Sequence, residues 1–149
     1  MRYSEGKMGR VFVLRMEEGD RLPDTLEGFA AEKNIEAATV LYLGGAADGS
    51  RVVVGPERNR GDQIIPITHA FTGNQEILAL GTLFRNEEDR PVLHMHAGIG
   101  REGNATIGCT RTGVPVWLVA EAVILEIVGT GALRKKNPQT GMELLQMPD

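Results

Sequence analysis

The stretch PVLHMHAGIGREGNATIGC, residues 91–109, decides the reading of the chain. Val92–Ile99 and Thr106–Thr110 are rich in apolar and β-branched residues, and Glu102-Gly103-Asn104 between them is turn chemistry, so the segment predicts a β-hairpin. Side chains alternate across a strand, so His94 and His96 share one face and Met95 takes the other. Counting back from a turn at Glu102-Gly103 sets His96 opposite Cys109, and opposed side chains in such a pair lie about 4.5–5.5 Å apart at Cβ. A slip of one residue would send the thiol to the other face. Two imidazoles and a thiolate suit zinc, with a fourth position for water, substrate or a carboxylate. Ligand type alone leaves copper, nickel and iron open, and the competing reading makes Cys109 a small buried hydrophobe.

Outward from this hairpin, the chain reads mostly as strands. Residues 8–16 form an alternating run with both faces largely apolar, which suits a central strand. Leu22, Leu26, Phe29 and Ala30 then recur at helical spacing, with Asp20 placed to cap, Pro23 in the first turn and Asn34 at the exit. Such a short helix needs a sheet to bury its apolar face. Ala37–Leu43 is a strand expected to end at Gly44-Gly45, followed by Arg51–Val54 and a polar, mobile loop over Val54–Asp62. Ile64–Phe71 and Glu76–Phe84 read as strands joined hairpin-fashion across Thr72-Gly73-Asn74, with Pro66 marking the first as an edge or a bulge. Val116–Val128 is a long strand with Val119, Val123, Leu125 and Ile127 as core candidates. A turn at Asn137–Gly141 precedes a short Met142–Leu145 strand. One helix among many strands predicts an α+β fold, with a mostly antiparallel or mixed sheet and the main helix after the first strand.

The 149 residues have the size of one domain, and no linker or repeat divides them, so a single domain over 1–149 is expected. No apolar run reaches the roughly 20 residues of a membrane span, and Met1–Arg10 carries no apolar leader. With a single cysteine, this favours a cytoplasmic protein away from membranes. The net charge of −4 gives no overall basic field for phosphate. Arg51, Arg58 and Arg60 in one loop and Arg134-Lys135-Lys136 near the end are short basic runs, expected as solvated faces. Two further residues bear on the site. Glu121 is an acid in an apolar strand, a candidate to orient a ligand or to act as general acid or base, against the plainer role of an ion pair. His69, on a predicted edge, reads as a partly exposed surface histidine, with metal ligation as the lesser alternative.

Taken in order, Leu14-Arg15 with Gly19-Asp20, Leu43-Gly44-Gly45-Ala46, the Glu76–Gly81 strand, Pro91–His96, Ile107-Gly108-Cys109 and Ala120–Ile124 resemble the plants-and-prokaryotes-conserved (PPC) domain nearly end to end. The resemblance implies an α+β domain assembling as a homotrimer, a family role in DNA binding or transcription, and a metal held by the two histidines plus a third from a Gly-Gly-His stretch. Here that third position is Cys109. Plant members carry a Gly-Arg-Phe-Glu-Ile-Leu partner segment and AT-hooks; this chain reads Gly73-Asn74-Gln75-Glu76-Ile77-Leu78 and has no hook, so direct DNA binding transfers poorly. More remotely, the architecture is similar to acetolactate decarboxylase and to a zinc-dependent ester hydrolase. That likeness implies, as an alternative, a metal-dependent lyase or hydrolase of a small carbonyl substrate, with Glu121 carrying a proton.

Overall fold

Residues 1–57 and 64–148, described by a computed structural model, form eleven strands and one α-helix. In chain order these are β1 (Lys7–Glu17), β2 (Arg21–Leu22), α1 (Asp24–Glu32), β3 (Ala37–Ala46), β4 (Arg51–Pro56), β5 (Pro66–Ala70), β6 (Gln75–Arg85), β7 (Pro91–Arg101), β8 (Asn104–Cys109), β9 (Val114–Val128), β10 (Leu133–Lys136) and β11 (Glu143–Gln146). The main sheet runs β1-β9-β3-β6-β7-β8-β4-β5, with β2 also paired to β9, while β10 and β11 form a separate hairpin. All of these strand pairs are antiparallel. The expected class is therefore the observed one: an antiparallel sheet with a short helix after its first strand. No helix among the described residues is long and apolar enough to cross a membrane.

One face of the sheet makes the core. Met16, Val40, Tyr42, Ala79, Met95, Ala97, Ala122 and Ile124 are buried there with Leu22, Leu26 and Ala30 from the helical segment. Phe29 of α1 meets Phe12 of β1 edge to face, ring centroids 5.4 Å apart, which fixes the helix on the sheet. The opposite face is left open and apolar: Val13, Leu41, Leu43, Leu78, Leu80 and Ile107 are all exposed.

Several expectations are corrected. β1 is an edge strand, not a central one; its second apolar face, Val11 and Val13, belongs to the open side of the sheet. In β9 the buried side is Val116, Ala120, Ala122 and Ile124, not the set containing Val119 and Val123. Small alanines lie under the core there, and both faces are apolar, so periodicity could not choose between them. Asp20 does not cap α1, whose N-cap is Pro23; its carboxylate instead accepts from the Glu17 amide and the Thr25 hydroxyl. Leu22 lies in β2, outside the helix.

β3 continues through Gly44-Gly45 because β9 passes so close that a Cβ would strike Ala120 at one position and Trp117 at the other. Thr72-Gly73-Asn74 joins strands that do not pair: β5 lies on β4 at the far edge and β6 sits between β3 and β7. Asp48 draws the connection away by accepting from the Gly73 amide. The loop expected over 54–62 lies partly outside the described residues, as do Arg58 and Arg60, while β4 runs on to Pro56. The tail hairpin has the expected turn, closed by Asn137 accepting from Gln139 and Thr140 amides.

Glu126 is buried on β9 and takes three bonds from Arg10: the backbone amide at 2.9 Å, Nε at 2.8 Å and a terminal nitrogen at 2.6 Å. Arg10 also reaches the Lys33 carbonyl at the end of α1. The Arg10 side-chain bonds hold the Glu126 carboxyl below its ordinary value near 4.5, outweighing the burial that pushes it up. A carboxyl depressed on folding stabilises the fold above its unfolded pKa, and that contribution fades as pH drops through the folded value. Urea unfolding should therefore show stability falling below about pH 4.5, with a shallower fall in Glu126→Gln. In the core, Leu26→Ala should cost about 2–5 kcal/mol by the same measurement.

Candidate metal centre

A two-residue turn builds the site. Arg101 pairs with Asn104, and Glu102 and Gly103 between them take φ of 55° and 82°, the pattern of hairpin turns whose twist matches their strands. From that turn the register runs Gly98 to Ile107 and His96 to Cys109, as counting predicts. Met95 is fully buried in the core, which turns both histidines onto the open face. Their Nε2 atoms stand 3.2 Å apart, with rings nearly perpendicular at 82°. The Cys109 thiol, 7% exposed, closes the group, and all three donor atoms lie within 4.8 Å of one another.

This spacing suits one ion. With Zn–N near 2.0–2.1 Å, two tetrahedral nitrogens sit about 3.3 Å apart. The charge environment points the same way: His94 is held below its ordinary pKa first by burial, then by the charges of Arg134, His96 and Arg111. A neutral ring offers its lone pair, as ligation requires.

Around the cluster lie two cavities, one of about 680 Å³ and one of about 500 Å³, which share His94, Cys109, Arg111 and Met142. Three lining residues escaped the sequence reading. Glu27, on the exposed-looking side of α1, lines the larger cavity and accepts from the Leu93 amide at 2.8 Å; burial raises its pKa against that bond. Arg134, expected on a solvated basic face, is only 3% exposed. Its guanidinium donates to the Val92 carbonyl and to both oxygens of Thr82, at 3.1–3.2 Å, and so pins the tail hairpin over the cavity. Arg111 follows Cys109 in the short helical turn after β8. Only Glu27 had a sequence signal to follow, an acid on a helix predicted to dock against the sheet.

The other candidates stand apart. Glu121 is exposed on β9, in register with Arg15 and Leu43, with β3 and β6 between it and the histidines. At about 4.8 Å per strand the separation is roughly 14 Å. His69 is exposed on β5, its ring edge to face with Phe71 at 4.7 Å.

The sequence matches the model of the Plants and Prokaryotes Conserved (PCC) domain over residues 3–128. A metal-containing protein from Archaeoglobus fulgidus has the same fold with a TM-score of 0.81 at 24% identity, covering 98% of this chain and 99% of that one. A plant- and prokaryote-conserved (PPC) protein from Pyrococcus horikoshii gives 0.82 at 21% identity, over 100% and 99%. A Ralstonia eutropha protein provisionally named as DNA-binding gives 0.69 at 20% identity, over 91% and 90%. No curated protein matches the chain. At these identities the structural likeness is one of fold.

Arg134→Ala should loosen the cavity wall. Hydrogen exchange at 133–146 is expected to rise, with a loss of roughly 1.5–3 kcal/mol in stability, the usual worth of a hydrogen bond to a charged group.

Proposed function

Because the chain belongs to the Plants and Prokaryotes Conserved domain family, we propose that it is a metal-binding member of that family, one domain over 1–149, holding a divalent ion at His94, His96 and Cys109. Zinc is the first choice for two nitrogens and a sulfur. The observation that carries this reading is the convergence of three donor atoms within 4.8 Å, two of them 3.2 Å apart. The metal-containing relative of the same fold supports it.

The protein works as a trimer in this proposal, as the family resemblance implies. The open face supports self-association, since it carries Val13 at 78%, Leu78 at 70% and Ile107 at 71% exposure on one side of one sheet. Monomeric proteins seldom leave so broad an apolar surface in water. Direct DNA binding fits less well. The net charge is −4, and Arg134 of the C-terminal basic run is spent inside the protein. A transcription-associated role would then act through protein partners in the cytoplasm.

The cavities favour a second reading, a lyase or ester hydrolase of a small carbonyl substrate. Zinc would supply Lewis acidity there. Within one copy the carboxyls that line the larger cavity, among the described residues, are Glu27 and Glu143. Glu121 would act as proton carrier only if a neighbouring copy delivered it, since it shares the open face with the histidines.

Metal analysis of protein purified without a histidine tag tests the first reading, with about one ion per chain expected and little left in His94→Ala or His96→Ala. A ligand present at 100 times its Kd adds about 2.7 kcal/mol, so chelation should lower Tm by about 5–10 °C. Metal-free protein with an unchanged melting curve would count against the ion. A single-chain mass in light scattering would remove the trimer. A chelator-sensitive turnover in an ester and keto-acid screen would raise the second reading above the first.

A further inference from the structure

We propose that the larger cavity takes a small organic monocarboxylate with an apolar body, its carboxylate held by Arg111 beside the His94–His96–Cys109 cluster. The inference deepens the metal-site reading by naming the class of ligand that the same cleft receives, and it rests on that reading for the ligand's second contact only.

The argument begins with charge. Four charged side chains line the cavity: Glu27, Arg111, Arg134 and Glu143. Arg134 is already committed, since its guanidinium donates to Val92 and Thr82 and feels the charges of Glu143, Cys109 and Glu27. Arg111 has no such commitment. Among the described residues no hydrogen bond or ion pair engages its side chain, though it lines both cavities and its charge is felt at His94. A guanidinium that lines both cavities, beside the two histidines, is an anion site in waiting. Its planar fork matches the two oxygens of a carboxylate.

The rest of the lining selects among anions. Pro23, Val92, Leu93, Met142, Leu144 and Leu145 present an apolar wall, which rewards a hydrocarbon body. Glu27 and Glu143 on the same wall repel a second negative charge, which disfavours phosphate esters and dicarboxylates. About 680 Å³ lies in the range of small-molecule sites. Met142, Leu144 and Leu145 come from the tail hairpin, beyond the residues 3–128 that define the family match. The part of the chain that shapes the apolar end is therefore the tail hairpin, and the ligand's body is where the site's selectivity resides.

Calorimetric titration of hexanoate, acetate, hexanol and hexyl phosphate into full-length protein, with and without bound zinc, tests the assignment. Hexanoate should bind at least tenfold more tightly than the other three in both states. Arg111→Gln should abolish its advantage over hexanol without changing zinc content, and Arg111→Lys should restore part of it. Thermal melts of the variants establish that they fold. Equal binding of hexanoate and hexanol, or an Arg111→Gln protein that still prefers hexanoate, overturns the proposal. So does tighter binding of hexyl phosphate. Zinc uptake with no hexanoate binding removes the carboxylate and leaves the metal reading standing. Hexanoate binding by a protein that takes up no zinc does the reverse.

Discussion

Everything at the cluster depends on the register of one hairpin. In an antiparallel pair the side chains alternate with a period of two, so moving β8 by one residue against β7 would exchange Cys109 for Gly108 on the open face. The turn prevents the slip. Two residues, Glu102 and Gly103, both at positive φ, leave no slack between Arg101 and Asn104, and Met95 and Ile99 are anchored in the core on the other side of β7. His96 then has no choice of neighbour. The short turn and the buried methionine together cost the chain a glutamate in a left-handed conformation, and in return three donor side chains are held at fixed spacing without a loop among them.

The sheet extends this constraint across the molecule. Each core residue on the inner face implies an outward neighbour, and row by row the outward set reads Val13, Val123, Leu41, Leu80, His96 and Cys109 across successive strands. His96 thus continues an apolar row, whereas His94 lies opposite Thr82, whose neighbour on β3 is Thr39. His94 instead lines both cavities, and burial there is the leading cause of its lowered pKa in a residue that also touches solvent. Apolar surroundings make a neutral imidazole cheaper than a charged one, and they raise the strength of any contact that the rings make.

What could be read from the sequence was whatever local pattern determines locally. The hairpin turn, the i and i+2 histidines, the helix around Leu26 and Ala30, and the Asn137 turn all depend on neighbours within a few residues. Failures came where two faces of a strand are equally apolar, as in β9, where small Ala120 and Ala122 make the core and larger Val123 and Leu125 do not. Volume misleads at Ala120 because the strand packs so closely against β3 at Gly44 that a small side chain fits there. The position of β1 at the edge, and the separation of β5 from β6, are set by pairings over long sequence distance that no turn motif reports. Arg134 shows the same limit at one residue. Between Leu133 and Lys135 it looks like part of a charged surface, yet it is the one whose alternation points inward, and three oxygens meet it there.

The cysteine gives the cluster its own charge balance. Relative to three neutral imidazoles, two imidazoles and a thiolate lower by one the net charge of any site loaded with a divalent ion. A thiolate also donates more electron density, which softens the ion's pull on a substrate oxygen. Arg111, two residues along the chain, returns a positive charge at a point displaced from the ion. In a site loaded with the proposed ion, the effect would be to spread the positive charge over two centres instead of concentrating it on one. Were the proposed ion bound, its reduced Lewis acidity beside a separate guanidinium would be better matched to holding a ligand at two points than to activating it at one, which favours recognition.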